Sequence, residues 1–77
     1  MTMVIYSKDN CPWCDRAKEL MTAKGDAYDE IKIGRDVTRE EFMEQFPSIK
    51  TVPYIIVNEK VKGGYDVLVS HYNARIA

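Results

Sequence analysis

The stretch Asn10-Cys11-Pro12-Trp13-Cys14 holds the chain's two cysteines, three residues apart. A proline directly after the first cysteine suits the first turn of a helix, where its missing N–H costs nothing. That puts Cys11 at the N-cap and Cys14 at N3 of a helix opening at Pro12. Cysteine is an unusual N-cap, because Ser, Thr, Asp or Asn would stabilise the helix better. A sulfur at this place can accept hydrogen bonds from the N–H groups of Trp13 and Cys14, and it sits at the positive end of the helix dipole. Both effects favour thiolate over thiol.

The dipole is worth ~0.3–1 kcal/mol, and up to ~2 in good geometry. At ~1.4 kcal/mol per pKa unit, it lowers the thiol by about one to one and a half units at most. Cysteines in such motifs fall in a range of roughly 3.5–7.5, so its lower part requires sulfur–amide hydrogen bonds, with Lys8 as a further contributor. A deep shift does not simply produce a better nucleophile, since intrinsic nucleophilicity falls with pKa along a slope of ~0.4–0.5. What improves steadily is Cys11 as a leaving group. A sulfur that must both attack and leave suits thiol–disulfide exchange. Cys14, one turn further in and less exposed, is placed to resolve a mixed disulfide on Cys11.

Other uses of the pair fit less well. A structural bridge across two residues closes a very small loop and constrains the unfolded chain little. A structural zinc site needs four ligands, and only His71 and carboxylates remain to join the cysteines; no metal is expected. Cysteine-protease chemistry wants a histidine and an orienting third group. His71, the single histidine, reads as a helix surface residue with no chemistry.

The elements that must position the cysteines follow from periodicity. Met3-Val4-Ile5-Tyr6 is a short buried strand that runs into the polar stretch Ser7-Lys8-Asp9-Asn10. From Pro12, Trp13, Ala17, Leu20 and Met21 recur at helical spacing until Gly25 stops the helix. Residues 27–33 form a second strand candidate, with Ile31 and Ile33 alternating around Lys32. Thr38-Arg39-Glu40-Glu41 is a capping box, and the helix it opens carries Phe42 and Phe46 before stopping at Pro47. Tyr54 to Val57 is an apolar strand. Asn58-Glu59-Lys60 turns it into a short return strand at Val61-Lys62, which Gly63-Gly64 breaks. A last helix from Tyr65 carries Val69 and Tyr72 near its inner face, with Leu68 and Ile76 also apolar. Tyr28, Tyr54 and Tyr72 read as packing residues.

The order β-α-β-α-β-β-α implies an α/β fold: a four-stranded mixed sheet, its first two strands parallel through a crossover, flanked by three helices on both faces. The 77 residues make one domain, 1–77, near the lower size limit for a single core. Eleven basic against twelve acidic side chains leave no basic excess, so no nucleic-acid partner is expected. The apolar run Tyr54–Val57 is far too short to cross a bilayer, and no membrane association is expected. With no basic and apolar stretch before Met3, no secretory signal is expected. A reducing cytoplasmic setting is therefore expected, where disulfides are usually transient and catalytic. A monomer is the default state.

With those residues in place, the chain resembles glutaredoxins of the thioredoxin-like fold. The resemblance runs through nearly the whole chain: "YSKDNCPWCDRAKEL", then "TVPYIIV", then "KGGYDVL". It implies that Cys11 is the nucleophilic cysteine and Cys14 the resolving one, and that Val52-Pro53 is a cis step facing the active site. Lys8, Trp13, Thr51, Val52, Pro53, Tyr65 and Asp66 match positions lining the site for glutathione or a peptide. Lys8 would pair with the glycine carboxylate, and the start of the last helix would receive the γ-glutamyl carboxylate. Glutathione is then a co-substrate, with no tightly bound cofactor. Disulfide-containing proteins are the clients, and the family suggests ribonucleotide reductase among them.

Two departures from the family pattern stand out. Trp13 replaces the frequent tyrosine, keeping an apolar wall and losing the hydroxyl. Val67 follows Asp66 where many relatives carry a second acidic or polar residue, which bears on the glutathione amino group. Three other readings compete with a glutathione-dependent oxidoreductase. One is a similar redoxin recycled by thioredoxin reductase, which Val67 makes credible. The second is an iron–sulfur carrier, against which the proline and second cysteine of "CPWC" speak. The third is a redox-inactive binding module of the same fold.

Overall fold

A computed structural model describes residues 2–76, the side chains of residues 75 and 76 excepted. Among the described residues the chain forms β1 (Met3–Ser7), α1 (Pro12–Ala23), β2 (Asp29–Lys32), α2 (Arg39–Gln45), β3 (Tyr54–Val57), β4 (Val61–Gly63) and α3 (Tyr65–Ile76). The sheet runs β2-β1-β3-β4. β1 and β2 are parallel, while β1 pairs with β3, and β3 with β4, in antiparallel register.

Alternation along the strands sorts side chains to two faces. Met3 and Ile5 on β1 stand opposite Val57 and Ile55 on β3. Together they meet Ala17 and Met21 of α1 and Leu68 and Tyr72 of α3 in one apolar cluster. The intervening residues face the other way, where Tyr6 and Tyr54 pack on Phe42 of α2. Helices therefore cover both faces, with α1 and α3 on one and α2 on the other.

The local signals act as their chemistry dictates. The Thr38 hydroxyl accepts from the Glu41 N–H at 3.0 Å, and the Glu41 carboxylate accepts from the Thr38 N–H at 2.9 Å. The β3–β4 turn holds Asn58 and Glu59 at φ 53° and 64°, the left-handed region that tight hairpins demand. Gly25 closes α1 at φ 76°.

Some expectations shift. The second strand is shorter than residues 27–33, because β1 offers it partners only from Val4 to Ser7. The buried stripe of α1 is Cys14, Ala17 and Met21, with Leu20 half-buried and Trp13 exposed. On α3, Leu68 and Tyr72 are the buried pair and Val69 is half-buried; Ile76 lies outside the described side chains. His71 is not a plain surface residue. Its Nε2 is buried without a hydrogen-bond partner, and its ring lies 5.4 Å from that of Tyr72.

Candidate active site

Cys11 is the N-cap of α1, in extended backbone, with Pro12 as the first helical residue. Its Sγ accepts the Cys14 N–H at 3.2 Å. Of the two amides expected to reach it, Cys14's is the one that does. Cys11 and Cys14 are joined as a disulfide, their Cα atoms 5.2 Å apart. Cys11 is 7% exposed and Cys14 1%, so Cys11 is the outer of the two.

The approach to Cys11 is shaped by short-range geometry. Asn10 sits at φ 56°, a left-handed turn that asparagine tolerates better than most residues. Asp9 just before it takes Lys32 Nζ of β2 at 3.0 Å, tying the loop to the sheet edge.

Long-range packing supplies the rest. The Val52–Pro53 peptide is cis. The Val52 carbonyl oxygen lies 3.9 Å from Cys11 Sγ. The Trp13 ring packs 5.3 Å from that of Tyr65, joining the starts of α1 and α3. Arg16 places its guanidinium 4.7 Å over the Trp13 ring. Asp66 stands exposed in the first turn of α3. A Cβ on Gly64 would meet Asp66 Oδ1 at 3.4 Å and the Pro53 carbonyl oxygen at 3.7 Å, ordinary contacts that put the start of α3 beside Pro53.

Lys8, Thr51 and Val52 line one groove of about 630 Å³. Of the predicted residues, Lys8, Thr51 and Val52 share the groove, Trp13 and Tyr65 pack ring to ring, and Asp66 and Pro53 both lie beside Gly64. The half-buried side chain of Val67 fills the space a Cβ on Gly63 would need, so it is turned toward β4.

Sequence reading missed the far wall of the groove, which Arg39 and Met43 of α2 and Lys50 share with Ile49. Arg39 carries no signal beyond its place in a capping box, and Met43 and Lys50 none at all. A charged network also went unread. The Ser7 hydroxyl, wholly buried, donates to Glu30 Oε2 at 2.6 Å, and Lys18 Nζ donates to the same oxygen at 2.9 Å. The Ser7 hydrogen bond, then Lys18, holds the Glu30 carboxyl below its ordinary range, while the bond to Glu30 raises Lys18. No cluster of three potential metal ligands occurs among the described residues.

Residues 3–62 match the family model for glutaredoxin. The chain belongs to the glutaredoxin family. Its curated relatives include glutaredoxin 3 of Escherichia coli K12, 38% identical over 64 residues, covering 83% of this chain and 77% of that protein. Among solved structures, glutaredoxin 1 of Francisella tularensis in complex with cacodylate superposes with a TM-score of 0.82 at 25% identity, covering 97% of this chain and 95% of that one. A buckwheat glutaredoxin solved with glutathione shares the fold at a TM-score of 0.75 and 24% identity, covering 95% of this chain and 69% of that one. The mixed sheet with its three helices is the thioredoxin-like fold of these proteins. As a glutaredoxin with its two cysteines paired, the protein is a thiol–disulfide oxidoreductase.

Proposed function

We propose that this glutaredoxin reduces protein disulfides and glutathione mixed disulfides, with glutathione as its reductant. The observation that carries the reading is the disulfide's setting. Its outer sulfur caps a helix and takes an amide hydrogen bond, 3.9 Å from the Val52 carbonyl oxygen, where a peptide backbone can pair.

Cys11, as thiolate, attacks one sulfur of the client disulfide; the bond between the client sulfurs breaks and the second leaves as a thiolate that takes up a proton. Cys14, deprotonated, then attacks Cys11 Sγ. The Cys11–Cys14 bond forms and the client leaves with both sulfurs reduced. Two glutathione molecules restore the dithiol, the first forming a mixed disulfide on Cys11 and the second releasing oxidised glutathione. The Cys14 N–H and the helix dipole stabilise charge on Cys11 in both its attacking and leaving roles.

For glutathione, Val52 supplies backbone pairing beside Pro53 and Thr51, Lys8 a cation for the glycine carboxylate, and Trp13 with Tyr65 an apolar wall. The start of α3 with Asp66 takes the γ-glutamyl end: amides for the carboxylate, the Asp66 carboxylate for the amino group. With Val67 turned toward β4, Asp66 alone has the second task. That the same fold holds glutathione in the buckwheat protein supports the reading. We place the protein in the cytoplasm as a monomer, with ribonucleotide reductase among its clients.

The deciding experiment offers the oxidised protein two reductant systems in turn: glutathione with glutathione reductase, and NADPH with thioredoxin reductase. Rapid re-reduction by glutathione alone is expected. Re-reduction by thioredoxin reductase alone would overturn glutathione dependence and leave the exchange chemistry intact.

A further inference from the structure

Trp13 is the chain's single tryptophan. As the second residue of α1, directly after Pro12, it is 52% exposed. An indole so open to water would ordinarily turn among several rotamers. Here two contacts from different elements bear on the ring. Tyr65, at the start of α3, is packed against the apolar cluster of the sheet, α1 and α3, and its ring lies 5.3 Å from that of Trp13. Arg16, one turn further along α1, sets its guanidinium 4.7 Å over the indole. Residues three apart on a helix share a face, so Arg16 reaches the ring from its own turn.

The carboxylates near Arg16 in the chain and the fold are engaged elsewhere. Asp15 and Glu30 both pair with Lys18, at 3.7 and 2.9 Å. Among the described residues Arg16 stands in no ion pair. Its planar, weakly hydrated guanidinium suits an aromatic face better than an ammonium does. Core, Tyr65, indole and guanidinium thus follow one another outward, and the indole is held by an anchored ring and a surface cation.

We propose that Arg16 is a positioning residue for the exchange reaction: its guanidinium clamps the Trp13 ring on Tyr65, so the apolar wall beside Cys11 stands formed before a glutathione mixed disulfide arrives. The proposal deepens the function given above and rests on its placing of glutathione against Trp13 and Tyr65. Arg16 touches no reacting atom. What it supplies is order: a ring already fixed loses little freedom when substrate binds, whereas a loose one must be immobilised at that moment. The wall touches the glutathione part and not the reacting sulfurs. Its grip is therefore the same in the ground state and the transition state, and it bears on KM rather than kcat.

The test follows the single tryptophan and the turnover of a glutathionylated peptide in parallel, on the whole protein with glutathione and glutathione reductase. Arg16→Gln should lower the fluorescence anisotropy of Trp13 in the reduced protein and increase its quenching by acrylamide. It should raise KM for the peptide about two- to fivefold, the size of an exposed cation–π contact, with kcat changing less. Arg16→Lys, which keeps a cation but not the planar fork, should recover part of both effects. Lys60→Gln removes the same charge from the β3–β4 turn, which is hydrogen-bonded to Thr2 at the far end of β1 from Cys11, and should match the parent. In a Trp13→Ala background, Arg16→Gln should add nothing to KM, because the ring it positions is gone.

Anisotropy and quenching that stay at parent values in Arg16→Gln, or a KM that does not rise, would overturn the clamp and leave the glutathione reading standing. A KM increase that persists in the Trp13→Ala background would overturn it too, since Arg16 would then act on the substrate itself. An equal rise in Lys60→Gln would overturn it in favour of overall charge. A parent protein that turns over no glutathionylated peptide would remove the glutathione reading and the proposal with it.

Discussion

The Ser7 hydroxyl and Lys18 Nζ converge on one oxygen of Glu30, at 2.6 and 2.9 Å, binding β1, α1 and β2 together one turn below Cys14. Ser7 is fully buried, and Lys18 and Glu30 retain 24% and 22% side-chain exposure. A pair so enclosed is screened less than a surface pair.

Its pH dependence has a definite sign. Glu30 titrates below its ordinary 4.5 because Ser7, then Lys18, hydrogen-bond the charged form. Its stabilisation is present above the unfolded value and is lost as pH falls through the depressed folded one. Lys18, raised by its bond to Glu30, contributes below its unfolded value of ~10.4 and loses that contribution as pH rises through the higher folded one. Melting temperatures of the parent and Glu30→Gln should differ at pH 7 and draw together as pH falls from the ordinary glutamate value through the lower folded one. Curves that stay parallel to acid would contradict the network's contribution.

The cysteines should separate cleanly by substitution. Cys11→Ser removes the attacking sulfur and should abolish reduction of every disulfide, a loss of at least about a thousandfold. Cys14→Ser should still remove glutathione from mixed disulfides, because that reaction needs only Cys11 and a second glutathione. It should fail on protein disulfides that must be resolved internally. Equal losses in both variants, measured by turnover of a glutathionylated peptide, would contradict the assigned order.

Gly63 and Val67 should behave as a coupled pair. A Cβ at residue 63 would overlap the Val67 side chain, and forced overpacking typically costs about 1–3 kcal/mol. Gly63→Ala should lower the denaturation midpoint by that order, and Val67→Ala made in the same chain should recover part of it, since it removes the two γ-methyls and keeps the Cβ. Additive losses in the double-mutant cycle would show that the two residues do not compete for the space.

The legible parts of this protein were those made by neighbours in sequence. Cys11 as N-cap, Pro12 at N1 and the Thr38–Glu41 capping box each involve residues within four positions, so their spacing already encodes their bonds. The apolar run Met3–Tyr6 likewise marks a buried strand before any partner is known. The Val52–Pro53 step and the binding set Lys8, Thr51, Tyr65 and Asp66 were reached through resemblance to a family, not through periodicity.

Only the tertiary structure decided where distant segments meet. Val52 lies 41 residues from Cys11, and Glu30 lies 23 from Ser7. Such contacts depend on strand register and helix rotation, which local propensity does not contain. The same cause explains a misreading: His71 looks superficial yet tucks its Nε2 inside. Sequence by itself determined a helix-capping dithiol on an α/β sheet. Packing decided what surrounds that dithiol, because side chains far apart in the chain acquire a common environment only when the sheet sets their positions.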